Sequence, residues 1–403
     1  MTTYRATRNA ITGLAVAGIL FGALSPAAAT CFWQSGPLPN DGAPPTTPFS
    51  LLALSANDIW AANNGDRELL HWNGSAWSEV TIPVNTPPDT GLFSLAVTGT
   101  SDSDLWIDAI FRSESDQYAK SIHFDGNRWT VTRMPTGFPP SKICPGQGDG
   151  PNISAMQAFS PTDVWSAGEV CHIENGKSIF EGISEHWDGV RWNILPFAAP
   201  LKFLPFGLPE EMSGTSDHDI WVLGEQSVIE HFNGRRWAIA SGYGALNALI
   251  DGVFAGSPDD AWAVGFVPKT GDPGSQTRTF AAHWNGRDWE QFATPNEDGP
   301  NFERANALRA VSGSAPNDVW AVGETDKPGS PNHNARLQVM HWNGVNWSNH
   351  TSAQLGAGGF YSVVDLGVRD VWALGGDNPN SGSSNPIASF RCSAGASEPL
   401  EIP

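Results

Sequence analysis

The stretch 317–347, NDVWAVGETDKPGSPNHNARLQVMHWNGVNW, decides the fold. It opens with Asp-x-Trp and closes with His-Trp-Asn-Gly-x-x-Trp, and both elements recur along the chain. Asp-x-Trp occurs seven times, from Asp58, Asp104, Asp163, Asp219, Asp260, Asp318 and Asp370, in steps of 41 to 59 residues. A second element, His-[Trp/Phe]-[Asn/Asp]-Gly-x-x-Trp, follows six of these, from His71, His123, His186, His231, His283 and His341. Seven tryptophans sit in the first element, four follow the histidines, six close the second element, and Trp33 completes the 18.

Each repeat reads as four short strands. An alternating apolar segment such as NALRAVSG precedes DVWAVG; the third strand ends at His-Trp, and an Asn-Gly or Asp-Gly pair leads into the fourth. Asn-Gly between alternating strands is a strong hairpin signal, and a two-residue turn there needs positive φ at both positions. Four-stranded units repeated without helical period predict an all-β chain, a seven-bladed β-propeller of four-stranded blades over residues 30–403. The seventh repeat lacks the Gly-x-x-Trp element. Trp33 supplies it: it precedes Pro39 by six residues, the spacing of Trp77/Pro83, Trp129/Pro135 and Trp289/Pro295. The N-terminal strand is therefore expected to close the ring.

DVWAVG followed by HWNG and a tryptophan resembles tectonin and tachylectin repeats. It also resembles the exported bacterial propellers grouped with galactose-oxidase and kelch domains. The resemblance spans nearly all of 30–403 and implies a propeller and, for tectonin-like proteins, glycan binding. The chain departs from these groups in places. Its repeats are longer than tectonin repeats, the kelch double glycine is missing, and no Tyr-Cys pairing suits copper-radical chemistry.

Residues 1–29 read as a secretory signal peptide, with Arg5 and Arg8, an apolar run over 11–24 and Ala27-Ala28-Ala29. The run is short for a membrane span, and no later stretch qualifies. Removing it takes the formal charge from −20 to −22, because it carries two arginines and no acids. An acidic surface argues against nucleic acid and anionic lipid as partners. The expected location is thus secreted, extracellular or periplasmic. Four cysteines in an exported chain favour two disulfides, expected as Cys31–Cys392 across the ring closure and Cys144–Cys171 within repeat 3.

The distance from motif Asp to motif His is 12 or 13 residues in repeats 1 and 4 but 19 to 23 in repeats 2, 3, 5 and 6. The insertions are expected as long loops on one face, where binding usually resides. Residues 195–209, LPFAAPLKFLPFGLP, read as an apolar cap on that face. The motif histidines and aspartates recur once per blade and cannot converge, so they read as structural. Aligning first strands on the AVSG core puts Leu52, Leu95, Gln157, Glu210, Asp251, Arg309 and Val364 in one slot. Gln157, Glu210, Asp251 and Arg309, with Arg304 nearby, form the candidate ligand-binding group. As catalytic residues, Glu210, Asp251 and Arg309 would suit acid/base work on a sugar. No metal or cofactor motif appears; GQGDGPN (146–152) and GGDNPNSG (375–382) are the only candidate calcium loops.

Two functions follow. The favoured one is a non-catalytic module for a glycan or an extracellular protein ligand, bound on the long-loop face. The alternative is an extracellular polysaccharide-degrading lyase or hydrolase with its carboxylate/arginine centre at the channel mouth.

Overall fold

A computed structural model describes residues 31–37, 48–63, 68–83, 91–112, 117–145, 150–198, 209–224, 227–242, 244–269, 272–296, 305–326, 335–351, 358–367, 370–376 and 386–392. Their regular structure is β-strand, with a 3-10 turn at Pro140–Lys142. The strands assemble into seven four-stranded sheets. Six are uninterrupted antiparallel meanders, blades 1 to 6, covering 48–81, 91–133, 152–194, 209–241, 249–292 and 305–349. The remaining sheet is composite. Gly359–Asp365, Asp370–Gly376 and Pro386–Cys392 are joined at the outer edge by Cys31–Pro37, from the far end of the sequence. The expected seven-bladed ring is corrected to this extent: six blades are self-contained, and the closing sheet has no fourth strand of its own. The reason is visible in the sequence, where no Gly-x-x-Trp element follows Trp372.

The first strand of each blade contacts the first strands of its two neighbours, and Gly359–Asp365 contacts both Ala305–Ala315 and Pro48–Ser55. Side chains stitch these inner strands together. Ser50 Oγ accepts from Val97 N (3.1 Å), Thr98 Oγ1 from Ala158 N (2.9 Å), Ser213 Oγ from Ala255 N (3.0 Å) and Ser312 Oγ from Asp365 N (3.0 Å).

Between blades the tryptophans do the packing. The closing Trp of one blade meets the Asp-x-Trp ring of the blade before it nearly edge-on: Trp192 on Trp106 at 90°, Trp289 on Trp221 at 80°, Trp347 on Trp262 at 90°. Trp33 makes the same contact with Trp320, at 76° and 5.9 Å, and is buried. T-shaped rings at this separation add to area burial through their quadrupoles.

The motif aspartates and histidines are structural. In blades 1, 2, 3, 4 and 6 one aspartate oxygen accepts from both the indole two residues on and the motif histidine; Asp219 takes Trp221 Nε1 at 3.0 Å and is 2.8 Å from His231 Nε2. The imidazole then lies against the same indole, centroids 4.1 Å apart in blade 4. Burial raises the carboxyl of Asp219, but the bonds from His231 and Thr215 outweigh it and leave the group below its usual range.

Two sequence expectations need correction. The Asn-Gly pairs are not two-residue turns. Trp72 pairs with Trp77 across a four-residue loop, and Asn73 Oδ1 caps it by accepting from the amides of Ser75 and Ala76. Only the glycine has positive φ, +88° at Gly74, and a Cβ there would also meet Asn57 at 2.9 Å. Second, the insertions of repeats 2, 3 and 5 are largely longer strands. In blade 3, Asp163–Glu174 and Lys177–Trp187 pair throughout, turning at Asn175-Gly176 with φ of +52° and +76°. Alternating residues and a true Asn-Gly turn carry the hairpin outward.

Cys144 and Cys171 are disulfide-bonded, with Cα atoms 5.5 Å apart. Cys171 lies on the extended strand of blade 3, and the bridge ties the segment between blades 2 and 3 to it. The side chains of Cys31 and Cys392, and the proposed signal peptide, lie outside the described residues. Of the 195–209 segment, Phe197 is buried against Met212, Phe232 and Trp237 between blades 3 and 4, so its start is a wedge rather than a cap. Among the described residues no helix is long and apolar enough to cross a membrane.

Candidate functional site

Every first strand carries a β-bulge near its start. The register shifts at Pro48/Ser50, Ser94/Val97, Ile153/Ala155, Pro209/Glu211, Ile250/Gly252, Leu308/Ala310 and Phe360/Ser362. The skipped residues are Phe49, Leu95 with Ala96, Ser154, Glu210, Asp251, Arg309 and Tyr361. A bulge leaves one residue out of the ladder and re-aims its side chain, which is why bulges recur beside binding sites. Here seven of them stand on seven neighbouring inner strands.

This corrects the sequence alignment. Leu52, Gln157 and Val364 each pair with a motif tryptophan, Trp60, Trp165 and Trp372. Glu210, Asp251 and Arg309 lie three residues earlier, on the bulges. Gln157 therefore leaves the group; its Nε2 donates to the carbonyl of its neighbour Ala158. Phe49, Ser154 and Tyr361 take the places of Leu52, Gln157 and Val364. Counting back nine residues from each motif aspartate finds all seven positions, a regularity the sequence already contained. The Glu210 side chain and Arg304 lie outside the described residues.

Asp251 and Arg309 do converge. Arg309 Nη1 donates to Asp251 Oδ2 at 2.7 Å, and Nη2 donates to Glu324 Oε1 at 2.6 Å. The three side chains are half-buried, and the guanidinium carbon stands 5.4 Å from the centre of the Phe266 ring. Glu324 was not singled out from sequence. It lies on the second strand of blade 6, six residues after Asp318, and Phe266 holds the matching place after Asp260 in blade 5. Burial raises the carboxyl of Asp251, Arg309 opposes the rise, and the Glu324 charge adds to it.

Tyr361 completes the cluster from the closing sheet. It is 42 % exposed, the one aromatic among the exposed large hydrophobics of the described residues. Burial of its hydroxyl, and then the Glu324 charge, raise its pKa. Gly359 shows how close these groups are: a Cβ on it would stand 2.6 Å from Glu324 Oε2 and 3.2 Å from the Tyr361 hydroxyl. Glycine at 359 leaves the Glu324 carboxylate room between Arg309 and Tyr361. Among the described residues no group of three His, Cys, Asp or Glu is placed to hold a metal, and most of both candidate calcium loops falls outside them.

No protein-family model matches the chain, and no curated protein matches it. Solved structures do. YCF48 bound to D1 peptide is 13 % identical, with a TM-score of 0.56 over 89 % of this chain and 96 % of that one. The RRP9 WD40 repeats are 10 % identical, TM-score 0.55, over 89 % and 97 %. A catalytically inactive virginiamycin B lyase from Staphylococcus aureus with quinupristin is 12 % identical, TM-score 0.52, over 89 % and 99 %. At these identities the likeness concerns fold alone: the repeats are tryptophan-rich and WD40-like in architecture. The tectonin, tachylectin and kelch grouping is not confirmed by these neighbours.

Proposed function

We propose that the protein is an exported binding module for glycans, its ligand seated on the bulge ring at Asp251, Arg309, Glu324 and Tyr361. The observation that carries this reading is the pairing of an exposed aromatic with a fixed carboxylate–arginine cluster on a rigid inner strand ring. Sugars present hydroxyl donors on their edges and C–H faces above and below. Carboxylates held by an arginine accept from the first, and an aromatic ring packs on the second. The Cys144–Cys171 bridge suits an oxidising compartment. A protein or peptide ligand is the competing class, and YCF48 carries a peptide on the same fold.

A glycan array with the mature protein tests the reading. Binding should appear, and Tyr361→Ala should weaken it at least about tenfold, which is about 1.4 kcal/mol. Gly359→Ala should act the same way, by pressing Glu324 off Arg309, with little change in melting temperature because only the end of a flexible side chain must move. Silence on the array overturns the glycan reading. Turnover of a polysaccharide abolished by Asp251→Asn would replace it with the enzyme reading.

A further inference from the structure

We infer that the glycan taken by this site carries a free amine, as glucosamine units do, and that the ammonium group docks between Asp251, Glu324 and Tyr361. The inference rests on the glycan reading and narrows it. It follows from which donors and acceptors the cluster leaves available.

Arg309 commits one N–H of each terminal nitrogen to a carboxylate. Nη1 is given to Asp251 and Nη2 to Glu324, while Nε is buried without a partner. With Asp251 and Glu324 flanking the guanidinium, a carboxylate, sulfate or phosphate on a ligand would meet two like charges against one opposite charge. Each carboxylate uses one oxygen on Arg309, Oδ2 of Asp251 and Oε1 of Glu324. Their second oxygens are the acceptors left for a ligand. Glu324 Oε2 faces the Tyr361 hydroxyl across Gly359, and the tyrosine ring is exposed. Two carboxylates against one guanidinium leave one negative charge.

An ammonium group meets that inventory. It brings three donors and no acceptor, it balances the single charge, and it gains from an aromatic face nearby. Burial of Asp251 raises its proton affinity despite Arg309, as expected of a carboxylate that lacks full compensation. A hydroxyl could use the same acceptors but leaves the charge standing. The chain's formal charge of −20 attracts a polycationic glycan from a distance, but only the cluster distinguishes where it binds.

The experiment compares chitosan hexamers, their fully N-acetylated counterparts and oligogalacturonate by calorimetry at low and physiological salt. The chitosan hexamer is expected to bind at least about tenfold more tightly than the acetylated one, and oligogalacturonate not at all. Asp251→Asn and Glu324→Gln should each remove most of that preference. Asp288→Asn, an exposed charge on a blade 5 hairpin, should leave it intact and so separates site binding from general attraction. Equal binding of the free and acetylated hexamers, or a preference that Asp288→Asn lowers as much as Asp251→Asn, overturns the amine inference while glycan binding stands. No binding to any glycan overturns both.

Discussion

The double variant D108V and E185M is expected to melt several degrees higher than the natural protein at pH 8, with the difference shrinking toward pH 5. Both carboxyls are fully buried where blades 2 and 3 meet. Asp108 has no side-chain partner, only the Ala109 amide opposing its burial, and Glu185 has only the Ser166 hydroxyl, at 3.3 Å. Burial drives both well above the usual carboxylate range, and Asp108 raises Glu185 further. At four other seams the corresponding places are apolar, where Ala62 with Ile122, Leu223 with Ala282, Val264 with Met340 and Leu374 with Leu70 share single core clusters. At the blade 3/4 seam Ala167 is matched by the buried Glu230, whose Oε2 accepts from Ala198 N at 2.8 Å. D108V and E185M copy the Val264/Met340 pair. Raised carboxyls stabilise the fold fully below their unfolded pKa, about 4, and lose that contribution as pH rises through the folded values. Burying an uncompensated polar group costs about 1–3 kcal/mol by mutational measures, more for a charge. His123, on the strand beside Asp108, and His186, next to Glu185 on its own strand, are taken up by Asp104 and Asp163. A melting curve that is flat from pH 5 to 9 in the natural protein would show that the pair is compensated.

The acid side has the opposite sign. Asp104, Asp219 and Asp318 are held below their usual range because, against burial, their histidine and hydroxyl bonds win. Their contribution is present above about pH 4 and fades as pH falls through the lower folded values. Stability should therefore peak on the acidic side of neutral, with the interface pair setting the upper limb and the aspartate triads the lower.

The architecture was legible because its signals are local and repeated. Asp-x-Trp and the closing Trp each mark a strand, and Trp33 was the remaining member of an otherwise complete set. The turn chemistry was less legible, since Asn-Gly fits both a two-residue turn and the four-residue loop seen at Asn73-Gly74. The site was half legible. Asp251 and Arg309 were found, but a bulge inserts one residue without changing composition, so aligning apolar cores slipped three places at Gln157 and Val364. Glu324 was missed for a different reason: it comes from the second strand, and only pairing across the sheet brings it to Arg309.

Trp33→Ala should be among the most damaging single substitutions in the chain, despite lying at the start of the described residues. Loss of a buried tryptophan costs about 3–5 kcal/mol, and here the cost falls on one seam. Trp33 packs with Ala310, Trp320, Leu337 and Val339 of blade 6 and with Phe360, Val371 and Ala373 of the closing sheet. Its strand is the outer edge of that sheet. Without it Pro386–Cys392 becomes a bare edge with unpaired backbone groups, the kind that pairs with another chain. Truncation before Ser35 should thus lower the melting temperature more than Trp33→Ala and add concentration-dependent association, read by size-exclusion chromatography. Trp237→Ala, the same place between blades 3 and 4, is the reference. There the fourth strand remains attached through its own hairpin, so the damage should stay local and the variant monomeric. Should Trp33→Ala cost less than about 1 kcal/mol, the first strand is not what holds the ring shut.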